Sequence, residues 1–263
     1  MVKEISRKSR MRSRNRYELE LMRKSGMIAA SALKKAINAI GVGVSELEVD
    51  KIAEKEIYKL GGDLSYKSVP GYKFATCVTT NEQVVHGIPT DRKFVSGDLV
   101  SIDLAVEYKG WHTDCAWSVL VRGRGTGDRL QAEKMEFLKA GEEALWDGIA
   151  QAVDGNRVGD ISNAIQTKVE GAGHSVIRSL VGHGVGRKLH EEPEIPGFGS
   201  KGTGVILKKG MTLAIEVIYA MGSSEIVLQE DKWTFSTADK SLGALFEMTV
   251  IVGQEKAEVL TGF

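Results

Sequence analysis

The chain has 263 residues, 42% of them hydrophobic, and its formal net charge is zero. This composition is enough for a large hydrophobic core and excludes a chain that is disordered throughout. Two cysteines make no disulfide framework, no hydrophobic run approaches the roughly 18 residues that span a bilayer, and no hydrophobic stretch follows the basic N-terminus. We therefore expect a cytoplasmic protein without a membrane partner.

Residues 1–16 form a basic N-terminal arm. The arm carries seven Lys or Arg residues and one acid, so residues 17–263 carry a formal charge of −6. No hydrophobic period runs through the arm, and we expect it to be flexible. A solvated tail is its simplest interpretation, and contact with RNA or a ribosome is the alternative. Residues 17–263 are expected to form a single domain.

Two helices are predicted in the first half of the chain. Hydrophobic residues at steps of three and four predict a helix over 17–40, which Gly41 ends. Ser45 and Glu48 have the spacing of a capping box at the start of a second helix. That helix is expected to end at Gly61.

The stretch DLVSIDLAVEYKGWHTDCAWSV, residues 98–119, alternates like two strands of a hairpin around a turn at 108–109. A two-residue turn there places Asp103 directly opposite Asp114, while Ile102 lies on the other face. Like charges directly opposed on neighbouring strands are destabilising. The two carboxylates must share a proton, bind a cation or lie on a solvated edge, and we favour the cation.

The second half of the chain repeats the helical pattern. Helices are predicted over 130–153 and from about 157 to 172, after a glycine-rich loop at 122–129 that we interpret as a connector. A shift of 112 residues keeps the paired positions of the second and fourth helices in register: Gly43 and Gly155, Glu48 and Asp160, Val49 and Ile161, Ile57 and Val169, Gly61 and Gly173. Two duplicated halves with a site at their seam would explain this match. Chance is the alternative, because helices bounded by glycine are common.

The remaining predicted elements are strands. They are expected at residues 74–79, 84–85, 176–180, 211–219, 226–228, 232–236 and 244–252. Paired helices combined with antiparallel hairpins predict an α+β fold rather than a parallel doubly wound sheet.

Three further residues are candidates for a metal site. His183 stands in GHGVG, where the glycines let the backbone approach a ligand closely. Glu216 and Glu247 are single carboxylates in nearly continuous hydrophobic strands, where an unpaired carboxylate is costly or takes up a proton. An exposed strand edge is the alternative for each. Together with Asp103 and Asp114 they suit two divalent ions of the Mn, Fe, Co or Zn type.

Five segments resemble the motif blocks of type I methionine aminopeptidases, in the same order and spacing. They are NEQVVHGIP, GDLVSIDLAVEYKGWHTDCAWSV, GHGVGRKLHEEP, GMTLAIEV and FEMTVIV. The resemblance extends from about residue 17 to the C-terminus. It implies the pita-bread fold, with two related α+β halves whose antiparallel sheet is covered by helices. It also implies hydrolysis of the first peptide bond after an N-terminal methionine, by water activated by two metals, with a small second residue preferred.

The resemblance assigns a role to each candidate residue. The implied metal ligands are Asp103, Asp114, His183, Glu216 and Glu247. Glu216 would also accept and pass on a proton, while His190 would hold the scissile carbonyl and His86 the neighbouring amide. The implied methionine pocket consists of Tyr72, Cys77, Leu189 and Trp233. From the residues alone, the two histidines would be surface residues and the pocket residues ordinary core.

Three positions depart from the family pattern. Val217 stands where proline is usual, Leu245 where glutamine is common, and Met248 where histidine is common. We expect all three to alter the surroundings that orient Glu216 and Glu247.

Two other functions fit parts of the sequence. One is a related pita-bread enzyme that cleaves X–Pro bonds, although such enzymes usually carry a large extra N-terminal domain. The other is a non-catalytic RNA- or ribosome-binding module that keeps the fold. The presence of all five ligands and both histidines favours an enzyme over the binding module. We expect this enzyme to act on the N-termini of peptides and nascent proteins, and to be a monomer.

Overall fold

The computed structural model describes residues 13–123 and 128–263, except the side chains of 128 and 129. Residues 1–12 of the predicted arm and 124–127 of the predicted connector lie outside this part, so those two predictions stay predictions there. The described residues contain four α-helices: Arg16–Ala39 (α1), Glu46–Lys59 (α2), Asp128–Ala150 (α3) and Val158–Gly171 (α4). None of them is long and hydrophobic enough to cross a membrane.

The predicted capping box at the start of α2 is confirmed. The Glu48 backbone amide donates to Ser45 Oγ at 3.3 Å, and the Ser45 amide donates to Glu48 Oε2 at 2.7 Å. Asn15 and Glu18 form a second such box at the start of α1. Each box satisfies amides that the first turn of a helix leaves without a partner.

Thirteen strands lie within the described residues, together with a 3₁₀ turn at Ser65–Ser68. They are Asp63–Leu64 (β1), Thr76–Thr80 (β2), Gln83–Val85 (β3), Leu99–Tyr108 (β4), Trp111–Leu120 (β5), Ser175–Val176 (β6), Val181–Gly184 (β7), Glu191–Pro196 (β8), Thr212–Ala220 (β9), Ile226–Leu228 (β10), Phe235–Thr237 (β11), Gly243–Ile251 (β12) and Glu258–Val259 (β13).

The sequence misplaced two of these strands. The strand predicted over 176–180 ends at Val176, and the next strand begins only at Val181. The strand predicted from Lys232 starts at Phe235, because Lys232 has a φ of +66° and belongs to a turn.

All paired strands are antiparallel, which agrees with the predicted α+β class. Ten strands form one sheet, whose central path is β1-β4-β5-β12-β9-β7-β8. Strand β2 pairs with β4, β6 with β9, and β13 with β12. A second sheet has the order β10-β11-β3.

The helices cover one face of the large sheet. Ile102 and Leu104 of β4 are fully buried with residues of α1 and α2, as the alternation predicted. Ile215 of β9 and Phe246 of β12 pack with residues of α3 and α4 in a second core. Because side chains alternate along a strand, Asp103 and its neighbours on the same face project away from both helical layers.

The two predicted pseudo-symmetric halves are present. Helices α2 and α4 are both 14 residues long, and a shift of 112 residues superimposes both of their bounds. The same shift carries β1 onto β6. The glycines that precede the two helices, Gly43 and Gly155, have φ of +88° and +92°. A left-handed glycine at the same place in both halves supports duplication over chance.

Candidate metal centre

The hairpin that carries the two aspartates has a different register from the predicted one. Its turn lies at Lys109–Gly110, and Asp103 pairs with Ala116 rather than with Asp114. Both turn residues have positive φ, +51° and +76°, as tight hairpins require, and glycine adopts this conformation at little cost. The two aspartates are therefore diagonal neighbours on one face of the sheet, and repulsion from Asp103 contributes to the raised pKa of Asp114.

Two adjacent rows of side chains across the sheet bring the five candidate ligands together. Each row follows the pairing of strands, so that its members point to the same face. The first row contains Asp103, Ala116, Glu247 and Glu216, on β4, β5, β12 and β9. The second contains Asp114, Thr249, Ala214 and His183, on β5, β12, β9 and β7.

The glycine before His183 lets the strand that carries this histidine approach the neighbouring strand β9 closely. A side chain at Gly182 would put its Cβ 2.7 Å from the carbonyl oxygen of Ala214. The His183 ring donates through Nδ1 to the carbonyl oxygen of Gly184 at 2.9 Å, which leaves Nε2 with a free electron pair. That nitrogen lies 4.0 Å from Asp114 Oδ2 and 3.9 Å from Glu216 Oε1.

Burial keeps the imidazole of His183 neutral. It lowers the pKa of His183 to about 3, with a smaller contribution from His190, against the opposing hydrogen bond to Gly184. At neutral pH the approach of Nε2 to the two carboxylates is therefore not an ion pair. A neutral imidazole with a free Nε2 is the form in which histidine binds metals.

The four carboxyl groups are held where their ionisation is unfavourable. Burial raises the pKa of Asp103 to about 6, although its Oδ1 accepts a hydrogen bond from the Tyr66 hydroxyl at 2.6 Å. Burial is also the largest cause of the raised pKa of Asp114, Glu216 and Glu247, and repulsion from the neighbouring carboxylates adds to it. Two unit charges 4 Å apart repel by about 4 kcal/mol at an effective dielectric constant of about 20.

The donor set fits divalent cations. One oxygen of Glu247, Oε1, is buried and has no hydrogen-bond partner among the described residues. Asp114, His183 and Glu247 each offer a ligand atom within 4.8 Å of the others. Buried polar atoms in native proteins nearly always have a partner, and carboxylate oxygens together with imidazole nitrogen are ligands for divalent metals. A bound cation would partner the orphaned oxygen and balance the carboxylates.

The candidate ligands line one cavity of about 350 Å³. The cavity also contains the two predicted substrate-facing histidines and the four predicted pocket residues. The structure therefore brings together every site residue that the sequence indicated: Asp103, Asp114, His183, Glu216, Glu247, His86, His190, Tyr72, Cys77, Leu189 and Trp233.

Both histidines of the cavity wall have a defined setting. His86 has a φ of +58°, an uncommon conformation for a residue other than glycine. The next residue must be a glycine, Gly87, because a Cβ at this position would collide with the carbonyl oxygen of Val78. The ring of His190 lies 4.4 Å from that of His183, centre to centre. Burial lowers the pKa of both histidines, so we expect neutral rings at neutral pH.

One end of the cavity is hydrophobic. Cys77 and Leu189 are buried there together, and Tyr72 packs against them. The ring of Tyr72 lies 5.2 Å from that of Trp233, centre to centre. Burial raises the pKa of the Cys77 thiol well above its usual value, so this sulfur stays neutral. The end of the cavity therefore presents aromatic and thiol surface to a ligand.

The three residues that depart from the family pattern, Val217, Leu245 and Met248, do not all lie near the carboxylates. The prediction that all three alter the surroundings of Glu216 and Glu247 is therefore wrong. Val217 and Met248 belong to the core under α3 and α4, on the face opposite to the carboxylates. The sulfur of Met248 accepts a hydrogen bond from the Thr261 hydroxyl there at 3.2 Å. Leu245 alone lies on the side of the site, where it lines the cavity. Adjacent strand residues face opposite sides, so a neighbour of a ligand in sequence is not its neighbour in space.

Two contributing residues were missed by the sequence. Tyr66 lies in the 3₁₀ turn, a polar segment without periodicity, and nothing in its sequence pattern indicates its bond to Asp103. Thr249 exchanges hydrogen bonds at 2.8 Å with the backbone amide and carbonyl of Asp114. Its position two residues after Glu247 in a strand was a usable signal, since both side chains then share a face.

The duplicated antiparallel fold and the buried carboxylate–histidine cluster define the class: a metal-dependent hydrolase of the pita-bread fold. The sequence profile of Metallopeptidase family M24 matches residues 20–254, and the chain belongs to this family. It is 41% identical over 248 residues to a methionine aminopeptidase of Clostridium perfringens, covering 94% of this chain and 97% of the relative. The predicted membership of the type I methionine aminopeptidases is thereby confirmed.

Solved structures agree with this assignment. The crystal structure of a methionine aminopeptidase from Thermotoga maritima has a TM-score of 0.91 and 40% identity, and the match covers 97% of this chain and 100% of that one. A prolidase from Pyrococcus furiosus has a TM-score of 0.74 and 23% identity, with 95% of this chain and 65% of that chain covered. The second similarity shows the shared fold alone.

Proposed function

We propose that the protein, a methionine aminopeptidase, removes the N-terminal methionine from newly made proteins whose second residue is small. One observation carries the proposal: a single cavity joins the buried carboxylate–histidine cluster, two neutral histidines and a hydrophobic end. The hydrophobic end suits an unbranched thioether side chain, because aromatic rings and sulfur make favourable contacts. The relatives of high coverage bear the name of this activity.

We assign two divalent metal ions to the site. Their ligands would be Asp103, Asp114, His183, Glu216 and Glu247. Four carboxylates exceed the charge of one divalent ion and balance two, and Mn, Fe, Co and Zn all accept this mixture of oxygen and nitrogen ligands. When bound, such a pair of ions polarises a peptide carbonyl and lowers the pKa of a water molecule to near neutrality.

Glu216 is assigned the transfer of the proton. Its carboxylate lies in the cluster, 3.9 Å from His183 Nε2, and burial together with Asp103 raises its pKa. A carboxylate whose pKa is raised by its surroundings is a stronger base than an exposed one. It would take a proton from the attacking water onto a carboxylate oxygen and pass it to the leaving amine.

His190 and His86 are assigned the orientation of the substrate. Both are exposed to the cavity and have lowered pKa, so each offers a neutral N–H at neutral pH. His190, next to the ligand His183, would donate to the oxygen of the scissile carbonyl as negative charge develops. His86, whose ring lies 6.0 Å from that of Phe235, centre to centre, would hold the following amide. Neutral donors do this without repelling the metal ions.

A peptidase assay tests the proposal. The protein, stripped with EDTA and reloaded with Mn(II) or Co(II), should release methionine from Met-Ala-Ser and leave Ala-Pro-Ser intact. EDTA should abolish the reaction. Cleavage of only the proline peptide would indicate an X–Pro enzyme, and no cleavage with either metal would indicate a binding module. A substrate panel, Met-X-Ser with X from glycine to leucine, measures the preference for a small second residue.

We also propose that the protein acts as a cytoplasmic monomer and that its basic arm, residues 1–16, contacts the ribosome. The absence of cysteine pairing supports the reducing compartment, since both cysteines are buried and unbridged. Size-exclusion chromatography with light scattering would test the monomer, because a dimer elutes at twice 28.6 kDa.

A further inference from the structure

A second cavity of about 490 Å³ adjoins the cavity of the site. It lies between the segment that connects β6 to β7 and the small sheet of β10 and β11. Ser179 and Leu180 line both cavities, so the two share a wall. We call the second cavity the exit groove.

A continuous hydrophobic surface joins the two cavities. Ile218 and Leu245 line the site and belong to one buried cluster. Leu180, Ile226 and Phe235 pack against the same cluster and form the hydrophobic lining of the exit groove. A peptide leaving the site along this surface would therefore keep hydrophobic contacts instead of entering water.

The order of groups in the site fixes the direction of a bound peptide. The methionine pocket, with Cys77 and Leu189, belongs to one hydrophobic cluster, and Leu245, with Leu180 packed against it, belongs to another. We take these two clusters as the first and second ends of the site. In the proposed reaction the methionine side chain occupies the first end and the scissile bond lies at the carboxylate–histidine cluster. The residues after that bond must then run toward the second end, where the exit groove begins.

We infer that the exit groove binds the substrate residues that follow the second one, with a preference for a hydrophobic side chain. This inference rests on the proposed function, because only a methionine held in its pocket sets the direction of the chain. Each extended residue spans about 3.3–3.6 Å, so successive substrate residues advance steadily from the second residue into the groove.

The rim of the groove favours a neutral peptide. Arg178 is held by an ion pair with Glu170 at 3.0 Å, and its guanidinium packs over Phe198. Glu225 supplies the opposite charge on the other rim. Because Glu170 already neutralises Arg178, Glu225 leaves one unbalanced negative charge at the groove. An acidic segment is therefore disfavoured, and the hydrophobic floor discriminates among uncharged residues.

A set of hexapeptides tests the inference. The reference is Met-Ala-Ser-Ser-Ser-Ser, and four variants carry leucine at the third, fourth, fifth or sixth position. We expect leucine at one of these positions to raise kcat/KM about tenfold, as burial of most of a leucine side chain would. The assay uses the full-length protein with Mn(II).

Two variants of β10 locate the effect. Ile226→Asp places a charge on the groove floor and should reduce the leucine-to-serine ratio of kcat/KM to about one. Val227→Asp, the control, changes the adjacent residue, which is 46% exposed and does not line the groove, and should keep the wild-type ratio. Ile226→Thr, a milder change, should give an intermediate ratio and covers the case in which the aspartate variant does not fold.

Each outcome decides one question. Equal kcat/KM for all hexapeptides in the wild type, or a leucine preference unchanged in the Ile226 variants, would overturn the exit groove and leave the aminopeptidase activity standing. Failure of the wild type to release methionine from any peptide would instead overturn the proposed function.

Discussion

Glu216 and Glu247 lie directly opposite each other on the neighbouring strands β9 and β12. The sequence predicted this relationship for the two aspartates, yet it is the glutamates that show it. Directly opposed residues have Cβ atoms about 4.5–5.5 Å apart, and like charges at that distance destabilise a sheet. The opposed glutamates therefore place like charges close together within the candidate metal site, where a cation would relieve their repulsion.

Replacement of one opposed glutamate should separate stability from metal binding. In Glu247→Gln the repulsion disappears, so the metal-free protein should gain about 1 kcal/mol of unfolding free energy at pH 7.5. The same change removes a ligand, so release of methionine from Met-Ala-Ser should fall by at least about 100-fold. Urea unfolding in EDTA and the peptide assay with Mn(II) measure the two effects.

Glu82→Gln, at an exposed position before β3, is the control and should change neither the unfolding free energy nor the release of methionine. A stability loss combined with normal turnover would refute the assignment.

The positive φ of His86 makes it possible to separate the effect of losing its ring from the effect of straining its backbone. His86→Ala should keep both metal ions, because no ligand is lost, while kcat falls about 100-fold or more with the loss of a positioned donor. Alanine is also strained at a φ of +58°, whereas asparagine tolerates this conformation. His86→Asn should therefore match the thermal stability of the wild type and recover part of the rate through its amide N–H. Elemental analysis and steady-state kinetics check both variants. An unchanged kcat in His86→Ala would exclude the proposed role.

The raised carboxyl pKa values predict how pH and metal jointly affect stability. The folded metal-free protein binds protons more tightly than the unfolded chain, since burial raises the pKa of Asp103 to about 6 and that of Asp114, Glu216 and Glu247 above the ordinary range. Its stability should then fall as pH rises from the ordinary carboxyl pKa near 4 through these values.

Metal ions held by these carboxylates would replace those protons, so the stabilisation by metal should increase as pH rises. The increase of Tm on adding Mn(II) should be larger at pH 7.5 than at pH 5.5. Scanning fluorimetry in matched EDTA and MnCl₂ buffers measures it. A Tm gain of the same size at both pH values would mean that the ions bind away from the carboxylates.

Local sequence rules were sufficient for much of this fold. The capping box of Ser45 and Glu48 fixed the start of α2, and left-handed glycines marked equivalent points in the two halves. Alternation along β4 placed Asp103 on the face away from the helices. These features depend on residues close together in the chain, so local physical chemistry decides them.

Register and long-range contacts were beyond those rules. A turn moved by one residue, from 108–109 to Lys109–Gly110, shifts the pairing of the whole hairpin by two. Gly110 was the available signal, since a tight hairpin needs positive φ at its turn residues. The bond between Tyr66 and Asp103 joins residues 37 positions apart, and only the assembled sheet brings them together. Val217 and Glu216 are adjacent in one strand, so their side chains point to opposite faces of the sheet. This difference between the two residues could have been predicted from the sequence.

The basic arm gives a further prediction, because its last residues are part of the folded domain. Arg14 is nearly buried, forms an ion pair with Glu191, and donates a hydrogen bond to Thr212 Oγ1 at 3.3 Å. Its guanidinium also lies over the ring of Trp111. Glu191 directly follows His190, so Arg14 fixes the segment that carries this histidine, to which we assign substrate orientation.

Two deletions should therefore behave differently. Removal of residues 1–12 takes away five of the seven basic residues and should weaken ribosome binding in a pelleting assay, while kcat/KM for Met-Ala-Ser stays within about twofold. Removal of residues 1–16 also removes Arg14, the ion-pair partner of Glu191. Loss of one partner of a buried ion pair destabilises a protein by roughly 3–5 kcal/mol. We expect it to lower the rate about tenfold, as Arg14→Ala should in the full-length chain. Arg14→Lys should recover part of the rate through the restored charge. Equal tripeptide kinetics in all of these proteins would show that Arg14 does not position His190.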